Sequence, residues 1–160
     1  MHIFGIVCSD AKPSSLCTCI CPTRCIEPKQ LSAIRSTILV IRDIKNIARD
    51  HDIPVIEDAA HSAGATYNGK QIGSHLDAVC FSFHPVKNLA MPTGGAICLN
   101  GNNSKNYAEK LKSLRWCGIE NRHDFEYDVG SLGWNNYMNE ISAAIGLVQL
   151  KKLDRANKIR

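Results

Sequence analysis

No stretch of the 160-residue chain is long and apolar enough to cross a bilayer, and the N-terminus lacks both a basic leader and a long apolar run. A soluble cytoplasmic protein is the resulting expectation. There is no basic block longer than a pair, and the net charge of +4 is scattered. That excludes the clustered cation stripe with which proteins track nucleic-acid phosphates. Internal repeats and low-complexity tracts are also missing. Among eight cysteines no two have the C-x-x-C spacing of a zinc knuckle. Cys17, Cys19 and Cys21 alternate and Cys25 follows, a spacing that suits free thiols in an irregular segment better than a metal module. Cys80, Cys98 and Cys117 stand alone in or near apolar segments, where cysteine is usually a small core residue.

What is present is the make-up of one globular domain. The hydrophobic fraction is 44% and the charged fraction 21%, and the length suffices to bury a core. Residues 3–8 read as a short buried strand. Residues 10–37 hold Pro13, Pro22, Pro28 and the cysteine cluster without a sustained period, and read as an irregular insertion. From Ile41 onward Ile41, Ile44, Ile47 and Ala48 share a helix face, which His51 and Asp52 end and Pro54 cannot continue. Ile53 to Ile56, Leu76 to Phe83 and Gly94 to Leu99 read as strands, the second apolar on both faces as in a covered parallel sheet. Asn68-Gly69 marks a tight turn. Tyr107, Ala108, Leu111 and Leu114 form an amphipathic helix, and residues 118–137 read as loop. Asn139 can cap a last helix on which Ile141, Ala144, Ile145 and Val148 share one face, to be buried by this chain or by a partner. The alternation of helices and strands predicts an α/β fold.

Three chemically able side chains sit at or beyond strand ends, where ligands bind in open α/β sheets. Asp58 follows the first internal strand, and Ser82 and Lys87 end and follow the second. One carboxylate, one hydroxyl and one amine suit pyridoxal phosphate (PLP). Its aldehyde needs a lysine, its ring nitrogen needs an acid that keeps it protonated, and its phosphate needs hydroxyl and N–H donors. A free lysine titrates at about 10.4, so such a lysine also needs burial or a cationic neighbour. Each residue alone also has an ordinary reading: a solvated lysine, or an acid serving as cap or turn residue.

The run IPVIEDAAHSAGATYNGKQIGSHLDAVCFSFHPVKNLAMPTGGAICLN, followed by GWNNYMNEISAAIGLVQLKKLD, resembles the DegT/StrS nucleotide-sugar aminotransferases, PLP enzymes of fold type I. The resemblance covers residues 39–160. It implies part of the large PLP-binding domain, with a mostly parallel sheet and flanking helices, preceded by a divergent segment 1–38. It implies that Lys87 binds the cofactor aldehyde and shuttles the proton, and that Asp58 pairs with the pyridine nitrogen. His61 would lie near the ring hydroxyl, Ser82 would bind the phosphate, and Asn135 would reach the phosphate in a neighbouring subunit of a homodimer. No metal is implied. The implied reaction moves an amino group from an amino acid, usually L-glutamate, to a keto group of a nucleotide-linked sugar. Relatives with histidine at the lysine position dehydrate deoxysugars instead, and Lys87 argues against that branch. His84 reads as a neutral packing residue.

Two departures qualify the resemblance. Family members are more than twice this length, and a Gly-Thr/Ser helix start for the phosphate, a stacking aromatic and a small closing domain have no counterpart here. Residues 10–38 also stand where relatives have a short link. The alternative reading is therefore a truncated, inactive remnant or a non-enzymatic partner subunit.

Overall fold

The computed structural model describes the backbone of residues 5–8 and 31–40 and the whole of residues 41–160. The cysteines at 17, 19, 21 and 25, and most of the stretch read as an insertion, lie outside the described residues. Within that stretch helix α1 already begins: it runs Leu31–Asp50, ten residues longer than the expected start at Ile41. The side-chain period that reveals a helix is weak before Ile41, where serines and threonine interrupt the apolar positions. The helix ends as expected. His51 N donates to Ile47 O, Ile53 N to Ala48 O at 2.8 Å, and Asp52 takes a left-handed φ of 54°. Of the four residues assigned to its packing face, Ala48 is buried and Ile41 partly so, while Ile44 and Ile47 are exposed.

Strands β1 (Gly5–Cys8), β2 (Ile56–Asp58), β5 (Ala78–Ser82) and β6 (Gly95–Leu99) form one sheet in the order β1-β6-β5-β2. β2 pairs with β5 and β1 with β6 in parallel, but β5 and β6 are antiparallel. The sheet is thus mixed, because the short link between β5 and β6 contains no crossover helix, which parallel strands require. β2 starts three residues later than expected. Ile53 is tied to the end of α1, Pro54 has no N–H, and the Val55 N–H goes to the Asp77 carboxylate at 2.8 Å, so ladder pairing begins only at Ile56. β5 is covered on both faces, with Val79, Cys80 and Phe81 all buried.

The main core gathers Ala59, Ala63, Leu76, Val79, Phe81, Leu89, Ala96 and Leu153, and a second cluster packs Cys80, Ile97 and Leu99 under Ala108. Ala108 belongs to α2 (Ser104–Arg115), the expected amphipathic helix. β3 (Thr66–Tyr67) and β4 (Lys70–Gln71) pair across Asn68 and Gly69, whose φ values of 48° and 74° confirm the tight turn. The 118–137 stretch is not simply loop. It contains an antiparallel hairpin, β7 (Ile119–His123) with β8 (Glu126–Val129), whose bulge and exposed residues erase the alternation that signals strands. Helix α3 (Glu140–Leu150) is capped by Asn139, whose side chain accepts from Ser142 N at 2.8 Å. A further helix, α4 (Leu153–Ile159), was not evident from the sequence because it directly follows α3 and has a single buried apolar anchor, Leu153. No described helix is long and apolar enough to span a membrane.

Candidate active site

The carboxyl edge of the sheet gathers four of the five residues singled out from the sequence. β2 and β5 run parallel with Asp58 opposite Cys80, so Asp58 and Ser82 end adjacent strands on the same edge. Asp58 is the last residue of its strand rather than the residue after it. Ala59 N still donates to Cys80 O at 2.8 Å, and Ala60 N donates to Asp58 Oδ1 at 3.0 Å. The chain therefore turns immediately after the carboxylate, and Ser62 N closes that turn on Ala59 O at 2.9 Å. His61 rides on this turn, exposed, while Ala59 and Ala63 beside it are buried and fix the backbone.

The link from β5 to β6 carries Lys87. Its neck is closed by Phe83 N donating to Gly94 O at 2.9 Å and Met91 N to Phe83 O at 2.8 Å. Inside it, Lys87 N donates to His84 O at 2.8 Å, and the buried Leu89 and Met91 pin the far side. Lys87 is half-buried on this small frame, and its Nζ lies 2.7 Å from Nε2 of His61. With the amine charged, the amine donates and Nε2 accepts. Ser82 Oγ accepts from His84 N at 3.4 Å. His84 itself is exposed and accepts from Val86 N at 3.4 Å, so it shapes a turn and does not pack as expected.

Asn135 is carried elsewhere. Residues 134–136 run antiparallel beside the end of α2, with Trp134 N donating to Leu114 O, Asn136 N to Arg115 O and a bridge between Trp116 and Asn135. Asn135 is exposed there, next to the tilted Trp116–Tyr137 ring pair. A groove of about 590 Å³ between α2 and β7, lined by Lys110, Arg115, Trp116 and Arg122 among others, shares no residue with the four-residue edge. No group of three or more His, Cys, Asp or Glu is arranged for a metal among the described residues.

Two groups titrate away from their ordinary values. Glu57 precedes Asp58, and strand alternation turns it to the opposite face. Burial pushes its carboxyl above the usual range, and Oε2 is buried without a hydrogen-bond partner. His75 is held below its usual value by burial first, then by Lys45 and Lys70.

Two contacts that the sequence does not reveal tie the edge to α4. Asn157 Nδ2 donates to Ala63 O at 3.0 Å, and Arg160 donates to Asn88 Oδ1 at 2.6 Å. They join residues 94 and 72 positions apart, beyond the reach of any local pattern.

A pinned amine, an imidazole in contact with it, and a carboxylate and a hydroxyl on adjacent strand ends form a donor set that fits an aldehyde cofactor with an ionisable ring and an anionic tail. The family model described as the DegT/DnrJ/EryC1/StrS aminotransferase family matches residues 37–160. The chain belongs to that family. It is 41% identical over 112 residues to a UDP-4-amino-4,6-dideoxy-N-acetyl-beta-L-altrosamine transaminase of Campylobacter jejuni, covering 70% of this chain and 29% of that one. Among solved structures it is similar to PseC of Helicobacter pylori, an aminotransferase of pseudoaminic acid biosynthesis (TM-score 0.65, 33% identity, 71% of this chain and 30% of that one). It is also similar to the PLP form of Spr1654 of Streptococcus pneumoniae (TM-score 0.59, 32% identity, 64% and 26%). The chain thus spans less than a third of the length of each of these relatives, all of them larger proteins. The family is one of PLP-dependent enzymes, and its members share the fold-type-I architecture.

Proposed function

We propose that this chain supplies the cofactor-binding edge of a PLP-dependent aminotransferase that moves an amino group from an amino acid, L-glutamate by preference, to a keto group of a nucleotide-linked sugar. The 2.7 Å contact between Lys87 and His61, beside the ends of β2 and β5, carries this reading. When bound, PLP supplies an electrophilic aldehyde and an electron sink for the carbon that loses its proton. Lys87 would hold the aldehyde, and its free Nζ would move the proton. His61, in contact with that amine, would orient it and could meet the ring hydroxyl. Asp58, with Oδ1 fixed by Ala60 N, keeps the ring nitrogen protonated. Ser82 offers its hydroxyl to the phosphate at the edge of the sheet.

Asn135 would act across a homodimer, donating to the phosphate in the neighbouring subunit. Its exposure at the edge of the 134–136 segment supports that assignment, and so does the aliphatic face of α3, where Ile141 and Leu147 are exposed. The same exposure favours a second reading, a chain that works only when covered by more polypeptide. A cytoplasmic location fits the substrates proposed.

Borohydride reduction of the protein with added PLP, followed by peptide mapping, tests the central claim. Label is expected at Lys87 and is lost in Lys87→Ala. Label spread evenly over surface lysines such as Lys45, Lys105 and Lys151 would overturn it.

A further inference from the structure

The Lys87–His61 contact joins two segments, the turn after β2 and the link between β5 and β6. Each segment receives one bond from the C-terminal end of α4, one from within the helix and one from the residue that caps it. Asn157 Nδ2 donates to Ala63 O, two residues after His61, and Arg160 donates to Asn88 Oδ1, adjacent to Lys87. Asn157 lies in the last turn of α4, and Arg160 is the residue that ends it. Leu153, one turn earlier, is buried in the main core and fixes the helix against it. The approach is close. A Cβ on Gly64, whose φ is +79°, would come within 2.6 Å of Asn157 Nδ2 and 3.1 Å of Leu153. Only glycine lets the turn and α4 come this near.

Asn157 is a poor choice for packing alone. Its Oδ1 is buried without a hydrogen-bond partner, which costs stability that an apolar side chain of the same size would avoid. The amide cannot be turned over to relieve this, because Oδ1 would then face the carbonyl of Ala63. What the residue provides is one directed bond to the backbone beside His61.

We propose that α4 is a clamp that sets the separation of Lys87 and His61, with Asn157 and Arg160 as positioning residues. Its catalytic consequence rests on the function proposed above, since misplacing a reacting group by ~1 Å can cost about a hundredfold in rate. The clamp itself is a statement about this chain's own geometry, and it is tested without turnover.

Asn157→Leu keeps the volume and removes the directed bond, and Arg160→Ala removes the weaker, exposed one. Two readouts apply to the 160-residue chain: the ¹⁵N resonance of His61 Nε2, which senses the Lys87 contact without cofactor, and the share of reduced PLP label at Lys87. In Asn157→Leu the resonance is expected to move toward that of a solvated histidine. The Lys87 share should fall about tenfold, with Tm unchanged or raised because the orphaned acceptor is gone. Arg160→Ala should shift both in the same direction by less. An unmoved His61 resonance in Asn157→Leu overturns the clamp, as does a change that only tracks a fall in Tm. If the wild-type chain shows no selective label at Lys87 but the resonance still moves, the proposed cofactor role falls and the clamp stands. Selective label that both substitutions leave intact, with the resonance unmoved, has the opposite meaning.

Discussion

The sheet with its turns and the hairpin-plus-α3 region use apolar residues in opposite ways. In the sheet, Val79, Phe81, Leu76 and Ala96 face one another and Leu153 of α4 closes the cluster, so the edge bearing Asp58 and Ser82 stands on side chains that this chain covers itself. In the second region Phe125 is 97% exposed, Leu132 86% and Ile141 75%. Helix α3 turns Ser142 and Gly146 inward, and its backbone comes so close to Met91 that a Cβ on Gly146 would lie 2.5 Å from Met91 Cε. Its leucines, isoleucines and valine face out. The difference teaches that the edge carrying Asp58, Ser82 and Lys87 rests on a core this chain closes itself, whereas the second region leaves its large apolar residues exposed.

The largest expected effect separates the two regions directly. Phe81→Ala should destabilise the chain by about 3–5 kcal/mol, because the cavity opens in a closed core. Ile141→Ala on the exposed face should stay within about 0.5 kcal/mol. Chemical denaturation at low protein concentration, where association is suppressed, measures both. A large cost for Ile141→Ala under those conditions would show that the α3 face is covered within the monomer.

Next comes the joint between α2 and the hairpin. Gly118 has φ +75°, and a Cβ there would lie 1.7 Å from the backbone oxygen of Ser131. No side-chain rotation relieves a clash with backbone. Gly118→Ala should cost about 3 kcal/mol or more and release the Trp116–Asn135 bridge. Tryptophan fluorescence should then change while the sheet, followed by far-UV circular dichroism, persists. If both signals are lost together, the two regions are one cooperative unit.

The smallest effect sharpens the account of the edge itself. Burial raises the Glu57 carboxyl above its ordinary 4.5, so the folded state holds this proton more tightly than the unfolded chain. The penalty is therefore absent below the ordinary value, grows as pH rises through the raised one, and is complete at neutral pH. Glu57→Gln mimics the protonated form. It should raise Tm modestly at pH 7 and lose that advantage as the pH falls toward 4.5, as thermal melts across this range would show. A constant difference at all pH values would mean that Glu57 is solvated in the folded chain.

The sequence made the chemistry legible where residue type and strand position coincide. Asp58, Ser82 and Lys87 stood out as an acid, a hydroxyl and an amine after apolar runs, and the structure places them on one edge. Element limits were less legible. Pro54 and the Asp77 carboxylate together delay β2 to Ile56, and a side-chain bond from a residue 22 positions away leaves no local pattern. The hairpin within 119–129 was hidden because neither of its faces is buried, so no alternation of apolar and polar residues was needed. The expected burial of Ile141, Ala144, Ile145 and Val148 was read from the correct period, but this chain packs the other side of the helix.

By itself, then, the sequence determined the α/β class, the capped α3, the tight turn at Asn68-Gly69 and the family. All of these follow from local periodicity, turn chemistry or ordered motifs. Tertiary structure alone decided that β5 and β6 are antiparallel, that Lys87 meets His61 at 2.7 Å, and that Asn157 and Arg160 hold the two segments bearing them. Those facts depend on distances between residues far apart in the chain, which are set only when the core around Val79 and Leu153 closes and brings α4 against the sheet edge.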